Sequence, residues 1–475
     1  AALLELPCRS ARAAGGVDHG RPQALLPRAS GPHACGWCEA MLARPLRGLR
    51  RWAVRLPPPW PAQVHLCIRR GLCVGGEGNE ILRHIAEHGA QPFSRYSLEE
   101  LLKLQDLSPE ERQRHLTSVL HVGISKIIML LQDLPLGFGS TAPIRNVIHD
   151  YVEDIRDLRN SPPENPELFE ECILAIFSRH RGMMSQIAQG LLEFQSELRT
   201  GFVPFADFTA TNCAEASETV PAVRRIEMVL DEFFTVRTTL RLLIAHCVQL
   251  KPEDARHDMG FGAQELLLRT PDLRSKTPRT RHVGAICLDT RPSLILIEAF
   301  QHAQYMCRRE FNRAPRLMVN GIPAKEYLLA GAGLQHLESQ FPYVDIHLYF
   351  VFFEVIKNAL LTSIQKAGPD GEPEPIHASL ITGTSLCSEN ERTVKITDSG
   401  EGLSREDVRK VFSYFYSTMT ERSDGLRSGA HAAPQQALVG RGLGLAVSRV
   451  LVRYFGGEID LHSIPRKGTD VYIYL

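Results

Sequence analysis

The sequence has no excess of charge of either sign, because 54 lysines and arginines balance 54 aspartates and glutamates among 475 residues. That balance argues against the basic surface of a nucleic-acid-binding protein. No apolar run approaches the roughly 18 residues that suggest a membrane-spanning helix. The eleven cysteines are scattered, which favours free thiols over a disulfide framework. The composition therefore predicts a globular chain that binds no nucleic acid and has no membrane span.

The start of the chain is short of lysine and of acids. Residues 1–76 contain eleven arginines, no lysine and only three acidic residues. This composition resembles a mitochondrial transit segment. Cys35 and Cys38 have the spacing of a redox pair, but no strand–helix pattern surrounds them, which favours ordinary thiols. We predict that residues 1–78 form an Arg-rich segment that is disordered or serves targeting.

The middle of the chain has the apolar spacing of helices. Apolar residues recur every three and four positions, and Ser97 and Ser108 stand where helix N-caps are expected. Four long helices with polar connections suggest an antiparallel bundle over residues 79–255. A charged connector follows at 256–281, and strand and helix patterns alternate over 282–475. We therefore predict an α + α/β protein, a helical bundle followed by a two-layer α/β domain with a mixed sheet.

The end of the chain lacks a Walker phosphate loop but contains three short polar motifs in order. In the first, Glu354 and Asn358 lie four apart on a segment, 346–366, that is typical of a buried helix, so they share one face. A carboxylate there is costly to bury without a partner. An amide oxygen is a hard ligand that suits Mg²⁺. Alone, such a pair is more often a satisfied hydrogen bond in the core than a metal site.

The second motif is a glycine-rich turn after an alternating strand pattern at 392–398. Asp398 would stand at the strand tip, where Gly400 and Gly402 let a ligand approach the backbone closely. A carboxylate there can accept a hydrogen bond from an exocyclic amine such as that of adenine. By itself this motif would be an ordinary turn that contains an aspartate.

The third motif is a glycine loop that passes into a helical pattern at 438–450. Gly440, Gly442 and Gly444 leave the backbone amides open, and the new helix N-terminus favours anions. The loop does not have the Gly-Lys-Ser/Thr ending of a P-loop. In this order, the three motifs predict a site for ATP with Mg²⁺.

These motifs resemble the nucleotide-binding boxes of the ATPase superfamily shared by histidine kinases, Hsp90-type chaperones, topoisomerase II subunits and MutL. The segments Phe-Ser-Tyr-Phe-Tyr-Ser-Thr at 412–418 and Gly-Thr-Asp at 468–470 resemble mitochondrial pyruvate dehydrogenase kinases. Upstream, the segments 177–180 and 237–246 resemble that family's histidine-bearing helix and the helix before its nucleotide domain. From about residue 91 onward, the sequence is similar to the pyruvate and branched-chain 2-oxoacid dehydrogenase kinases.

The resemblance implies a Bergerat-type ATP-binding domain and a protein serine kinase. Such an enzyme phosphorylates, and so inhibits, the E1 component of a mitochondrial 2-oxoacid dehydrogenase complex, and the motifs favour the pyruvate enzyme over the branched-chain one. The resemblance also implies ATP and Mg²⁺ as cofactors, E1 and the lipoyl-bearing E2 as partners, a homodimer, and the mitochondrial matrix as the compartment.

Residue by residue, the resemblance also implies roles within the site. Glu354 would be the general base, and His180 would approach it from the helical domain. Asn358 would bind Mg²⁺, and Asp398 would bind the adenine. The residues implied in nucleotide binding come from all the motifs: Lys357, Asn358, Asp398, Gly400, Gly402, Ser417, Thr418, Gly440, Arg441, Gly442, Leu443, Gly444, Leu445 and Thr469.

Several residues depart from the family pattern, namely Leu361, Ser399, Glu401, Arg441, Leu443 and Ala446. Leu361 stands where an arginine is usual, and Glu401 replaces a glycine of the aspartate turn. Since the Asp-x-Gly-x-Gly core and the base are present, we expect ATP binding and catalysis. The polar, Gly/Ala-rich segment 419–439 fits a lid between the adenine and phosphate motifs.

Two other functions are compatible with an ATP site of this kind. A histidine kinase would use His180 as the phosphoacceptor, although Arg181 follows it where an acid is usual. A pseudokinase would bind ATP and dock to the dehydrogenase core without catalysis. Acid-labile phosphate on His180 would favour the first, and activity that is unchanged by Glu354→Gln would favour the second.

Overall fold

The computed structural model describes residues 76–161, 164–200, 219–248, 281–330, 340–382, 392–416 and 442–475. All of these residues belong to one compact unit. Three predicted segments lie wholly or almost wholly outside the described part of the chain. They are residues 1–75 of the targeting segment, residues 256–280 of the connector, and the lid segment 419–439. The first helix begins at Gly76, three residues before the predicted domain boundary.

The first part of the described chain is helical, as the apolar spacing predicts. The helices are α1 (Gly76–Gly89), α2 (Leu98–Lys103), α3 (Pro109–Gln132), α4 (Ala142–Asn160), α5 (Pro166–Arg179), α6 (Met183–Thr200) and α7 (Thr219–Cys247).

Two of these helices begin at the serines that the sequence singles out. The Ser97 and Ser108 side chains each accept a hydrogen bond from the backbone amide three residues later. Glu100 and Glu111 in turn accept from the serine amides. These capping boxes satisfy amides that would otherwise have no partner at the helix start. The predicted N-caps are therefore confirmed.

One predicted helix is divided in the structure. The apolar pattern over 167–194 predicts a single helix, but α5 ends at Arg179 and α6 begins at Met183. The 3₁₀ turn His180–Gly182 lies between them. Glycine lowers helix stability by about 1 kcal/mol relative to alanine, which favours a break at Gly182. The break places His180 at a helix junction instead of along a helix face.

Helix α3 is central to the helical part, because it packs against α1, α4 and α7. Helix α4 packs in turn against α6. The buried face of α3 is aliphatic, and burial of each such side chain contributes roughly 1.5–3 kcal/mol. Its fully buried members include Leu116, Leu120, Ile124, Ile127, Ile128 and Leu131. The antiparallel arrangement of four helices stays a prediction.

The second part of the described chain alternates strands and helices, which confirms the α/β prediction. Its helices are α8 (Pro292–Phe311), α9 (Ala324–Leu329), α10 (Asp345–Ala367), α11 (Arg405–Lys410) and α12 (Gly444–Tyr454). Its strands are β1 (His282–Val283), β2 (Ile286–Thr290), β3 (Leu317–Val319), β4 (Ile322–Pro323), β5 (Phe341–Tyr343), β6 (Ile376–Thr382), β7 (Arg392–Asp398), β8 (Glu458–Ile464) and β9 (Gly468–Tyr474).

The main sheet is mixed, as predicted. Its strand order is β4-β3-β6-β7-β9-β8, in which β3 and β6 pair parallel and the other neighbours antiparallel. A smaller sheet has the order β1-β2-β5. Helix α10 packs between α8 and α12 and against β7. Because it has neighbours on all these sides, α10 can be apolar almost all round, and it carries Glu354 into the centre of the domain.

Two helices are long and apolar enough to cross a membrane by length and composition alone, α3 and α10. The most apolar window of α10 is 83% buried inside the protein, and that of α3 is 50% buried. Core helices of soluble proteins pass the same test, so this is weak evidence for a membrane span.

Three histidines meet where α1 packs against α3. His84 Nε2 and His121 Nδ1 are 3.0 Å apart, and the rings of His84 and His88 stack with centroids 3.9 Å apart. Burial, together with the neighbouring histidines and Arg159, lowers the pKa of His84 and of His121 to about 4. Both rings therefore stay neutral in the folded protein at neutral pH.

This cluster predicts that acid loosens the helical part. Because the folded-state pKa values lie below the ordinary value of 6.5, the unfolded chain binds more protons between pH 6.5 and about 4. Stability that is present above pH 6.5 is therefore lost as the pH falls through this window. We expect the midpoint of thermal unfolding to fall less steeply with acid in His121→Gln than in the wild type. His149→Gln, which changes an exposed histidine of α4, is the matched control, and equal slopes for all three proteins would contradict the prediction.

Candidate active site

Glu354 is an almost buried carboxylate, 9% exposed, on helix α10. Its Oε1 accepts a hydrogen bond from Lys357 Nζ at 2.8 Å. The Lys357 ammonium lies 5.3 Å from the centroid of the Phe353 ring. Because both charges are buried, each offsets the desolvation of the other, and removal of one would leave an unpaired charge. The sequence predicts that Glu354 needs a partner, and the partner is Lys357.

The second carboxylate oxygen of Glu354 faces the start of helix α12. A Cβ atom added at Gly444, the first residue of α12, would overlap Oε2. The N-terminus of a helix carries partial positive charge and open amide donors. The two motifs that lie 90 residues apart in the chain therefore meet at Glu354 and Gly444.

Asn358 lies one turn after Glu354 and is exposed, whereas its neighbours on α10 from Ile356 to Leu361 are buried. Its side chain can therefore reach a ligand that lies against the helix. Within the described residues, no group of three or more His, Cys, Asp or Glu side chains could hold a metal ion. A Mg²⁺ ion here would have to rely on the Asn358 amide oxygen, phosphate oxygens and water, which is how Mg²⁺ is often bound beside nucleotides.

Asp398 ends strand β7 and is 8% exposed. Its Oδ1 accepts hydrogen bonds from the Gly400 amide at 2.8 Å and from the Thr362 hydroxyl at 3.4 Å. An added Cβ at Gly400 would lie 2.6 Å from Thr362 Cβ, so the turn needs glycine there. Burial is the main reason that the pKa of Asp398 is raised from 3.8 to about 6, and these hydrogen bonds oppose the rise.

The β8–β9 hairpin closes the other side of the aspartate turn. Thr469 is the cross-strand partner of Asp398, and its hydroxyl lies 2.9 Å from that of Ser463. Gly468 and Gly402 both have positive φ angles, and an added Cβ would overlap the carbonyl oxygen of Asp398 or Ile464 respectively. The two glycines therefore allow the turn and the hairpin to touch through their backbones.

The glycine loop leads directly into α12. Gly442 has a φ angle of 83°, in the left-handed region that favours glycine. Leu443 is buried at the N-cap position, and Gly444 and Leu445 begin the helix. The first amides of α12 have no acceptor within the helix, so they are available to an anion such as a phosphate group.

Comparison with known proteins separates the chain into two matched regions. Residues 95–287 match the family described as mitochondrial branched-chain alpha-ketoacid dehydrogenase kinase. Residues 344–475 match the family of histidine kinase-, DNA gyrase B- and HSP90-like ATPases. The combination of these two regions in one chain resembles the 2-oxoacid dehydrogenase kinases.

Similar curated members of the kinase family bear names of pyruvate dehydrogenase kinases. The mitochondrial [pyruvate dehydrogenase (acetyl-transferring)] kinase of Arabidopsis thaliana is 25% identical over 83% of this chain and 89% of its own length. The human mitochondrial isozyme 3 is 26% identical over 73% of each chain. Isozyme 4 of Rattus norvegicus is 26% identical over 81% of this chain and 82% of its own length.

His180, the predicted partner of Glu354, has its observed contacts with residues of the helical part. The side chain is only 4% exposed, its Nε2 lies 2.5 Å from Asp154 Oδ2, and its ring stacks on Tyr151 with centroids 4.2 Å apart. Arg179 pairs with the same carboxylate. These contacts all lie in the helical part, and within the described residues neither ring nitrogen of His180 is hydrogen-bonded to Glu354. Burial also disfavours His180 as a phosphoacceptor, and the family match does not favour a histidine kinase.

Four of the predicted nucleotide-binding residues lie outside the described part of the chain, namely Ser417, Thr418, Gly440 and Arg441. Among the departures from the family pattern, Leu361 is buried in the core, three residues after the exposed Asn358 on α10. Glu401 is exposed and lies in the aspartate turn. The backbone amide of Arg466 donates to the Glu401 carbonyl at 2.5 Å, so Glu401 takes part in the turn through its backbone.

The family motifs do not reveal two residues that support the aspartate turn. Thr362 donates to Asp398, and Lys366 Nζ donates to the Ser399 carbonyl at 2.6 Å and to the Arg466 carbonyl at 3.2 Å. Thr362 is four residues after Asn358, so helix spacing alone places it on the same face of α10. For Lys366 no comparable signal exists, because its contacts depend on how the turn and hairpin pack.

The raised pKa of Asp398 predicts how nucleotide binding at this site depends on pH. Below about pH 6 the carboxyl is protonated, and a neutral acceptor binds an amine donor less strongly than an ionised one. We expect the affinity for ADP, measured by calorimetry, to weaken about fivefold as the pH falls from 7.5 to 5. Asp398→Asn should remove most of this dependence, whereas the exposed control Asp370→Asn should keep it. A pH profile that is identical in the wild type and Asp398→Asn would contradict the assignment.

Proposed function

We propose that this protein is an ATP-dependent protein serine kinase that phosphorylates, and so inhibits, the E1 component of a mitochondrial 2-oxoacid dehydrogenase complex. The two family matches support the reaction. The names of the similar proteins, which are mitochondrial pyruvate dehydrogenase kinases, favour the pyruvate enzyme over the branched-chain one.

One observation carries this proposal. The Glu354 carboxylate lies against the N-terminal residue of α12 and one helical turn from the exposed Asn358. A nucleotide whose adenine meets Asp398 and whose phosphates meet the α12 amides would therefore place its terminal phosphate near Glu354 and Asn358. A serine hydroxyl at that point would have a carboxylate available to take its proton.

The reaction needs little covalent help from the protein, since phosphoryl transfer is catalysed mainly by positioning and charge stabilisation. The serine oxygen forms a bond to the γ-phosphorus as the bond to the ADP oxygen breaks, and Glu354 accepts the serine proton. Lys357 holds the carboxylate in place. Mg²⁺, held by Asn358 and the phosphates, would neutralise phosphate charge. Thr362 and the Gly400 amide hold the Asp398 carboxylate by hydrogen bonds and would orient it toward the adenine.

The remaining assignments are also proposals, supported by the family match and its motifs. Residues 79–255 would form the antiparallel bundle that docks to the lipoyl-bearing E2, the chain would act as a homodimer, and its compartment would be the mitochondrial matrix. Ser417, Thr418, Gly440, Arg441 and Leu445 would complete the nucleotide site. His180 would approach Glu354 from the helical part and tune it, a role supported by its buried Nδ1, which has no hydrogen-bond partner among the described residues.

The test is phosphate transfer from radiolabelled ATP to purified pyruvate and branched-chain E1 proteins. We expect acid-stable phosphate on serine, at a higher rate on pyruvate E1, with loss of E1 activity. Label that stays on this protein and is released by acid would instead indicate a histidine kinase. ADP binding without any transfer to either E1 would indicate a pseudokinase and would contradict the proposal.

A further inference from the structure

Segment 413–416 of the α/β part is held by hydrogen bonds and ring contacts to the helical part. The Tyr414 hydroxyl donates to Asp231 Oδ1 on α7 at 2.7 Å, and the neighbouring Ser413 hydroxyl donates to Glu227 on the same helix. The Tyr414 ring is stacked on Phe234, with centroids 5.7 Å apart and planes 11° apart. Tyr414 is only 5% exposed, so this is a packed interface and not a surface contact.

A third contact comes from another helix. Gln195, a buried residue of α6, donates from its side-chain amide to the Phe415 carbonyl at 2.9 Å. The rings of Phe194 and Phe415 also meet, with centroids 6.3 Å apart. Three consecutive residues, 413 to 415, therefore each have a hydrogen bond to the helical part.

Helix α7 also holds the helix that carries the glycine loop. Thr239, which is fully buried, accepts a hydrogen bond from the Tyr454 hydroxyl at 3.0 Å. Tyr454 is the last residue of α12, and the Tyr96 amide donates to the same hydroxyl at 3.2 Å. Helix α12 is only 11 residues long, about 16 Å, and a helix this short is stiff. A displacement at Tyr454 therefore reaches Gly444, at the other end, against Glu354.

A further contact joins helix α12 to the residue that precedes segment 413–416. The Arg449 guanidinium of α12 lies 4.7 Å from the centroid of the Phe412 ring, and its Nε donates to Glu458 at 3.0 Å. Phe412, which directly precedes segment 413–416, thus contacts α12, and both the segment and α12 contact α7. We call Glu227, Asp231 and Thr239 the α7 clamp, since these three residues hold both pieces from one helix.

We propose that the α7 clamp positions the nucleotide site, so that nucleotide affinity is set in part by helical residues outside the motifs of that site. This inference deepens the proposed function and rests on its nucleotide site. Coupling of this kind is reciprocal. If the clamp contacts raise the affinity for a nucleotide, the bound nucleotide stabilises those contacts by the same free energy. Any partner that shifts α7 would then change nucleotide affinity.

The test compares variants that break a clamp bond with variants that keep it. Asp231→Ala and Thr239→Val remove the acceptors for Tyr414 and Tyr454, whereas Asp231→Asn and Thr239→Ser retain an acceptor oxygen. We expect the first pair to weaken ADP binding about tenfold in calorimetry with Mg²⁺ present, and the second pair to bind within about twofold of the wild type. Met228→Ala, at an exposed residue of the same helix, is the matched control and should bind as the wild type does.

Unfolding midpoints without nucleotide separate positioning from packing. If Asp231→Ala and Thr239→Val unfold at lower temperature but bind ADP as the wild type does, the clamp is only a packing contact and the inference is overturned. If the wild type binds ADP and the clamp variants bind it weakly, but no E1 protein is phosphorylated, the inference stands and the proposed kinase function fails. Absence of ADP binding by the folded wild type would overturn both.

Discussion

Glu354→Gln is expected to lower the rate of phosphate transfer to E1 by about 10²–10⁴-fold, the range for loss of a general base. Glutamine has nearly the same shape as glutamate but cannot accept the serine proton. Because Glu354 has no part in holding the adenine, the dissociation constant for ADP should stay within about twofold of the wild type. Single-turnover transfer from radiolabelled ATP to pyruvate E1, measured beside ADP calorimetry, checks both statements.

This substitution also leaves the buried Lys357 without its carboxylate. Unpairing a buried charge costs about 3–5 kcal/mol, so some loss of thermal stability is expected in Glu354→Gln. The double variant with Lys357→Met should recover much of that stability and none of the activity. Glu372→Gln, at an exposed glutamate, serves as the matched control. Transfer by Glu354→Gln at more than a tenth of the wild-type rate would show that another group is the base.

Gly444→Ala is expected to reduce phosphate transfer about 100-fold through a single added methyl group. The new Cβ would overlap Glu354 Oε2, so the carboxylate must turn away from α12 and from the nucleotide phosphates. A misplacement of about 1 Å can cost on the order of 10²-fold in rate. Initial rates at several ATP concentrations would separate the loss of turnover from the loss of nucleotide binding.

Leu329→Ala is the control for that experiment, because Leu329 is an exposed residue of α9 outside the proposed site. It should transfer phosphate at the wild-type rate. Restoration of activity in Gly444→Ala by Glu354→Asp, whose side chain is one methylene shorter, would support the steric explanation. Wild-type activity in Gly444→Ala would show that the catalytic carboxylate lies elsewhere when substrates are bound.

The secondary structure that forms the site can largely be predicted from the local sequence. The apolar segment 346–366, the alternating strand at 392–398 and the glycine-to-helix transition after residue 442 all form where the patterns predict them. Helix and strand periodicity depend on residues a few positions apart, so the sequence displays them directly. The pattern fails at His180, where a glycine two residues later breaks a run that looks continuous.

The partners of the site residues were less predictable. Lys357 and Thr362 share helical spacing with Glu354 and Asn358, and that spacing could have revealed them. Asp154 and His180 are 26 residues apart, and Asp231 and Tyr414 are 183 apart. No local pattern joins such pairs, because they meet only after distant elements pack.

The sequence alone predicts an ATP site of the histidine-kinase type, because each of its motifs is a short run of residues that can be recognised without the fold. Tertiary structure decides which groups meet there. It brings Glu354 to Lys357 and Gly444, keeps His180 with Asp154, and attaches segment 413–416 to α7. The reason is that buried charges and hydroxyls must find partners when water is excluded, and only the packed chain determines which partners are within reach.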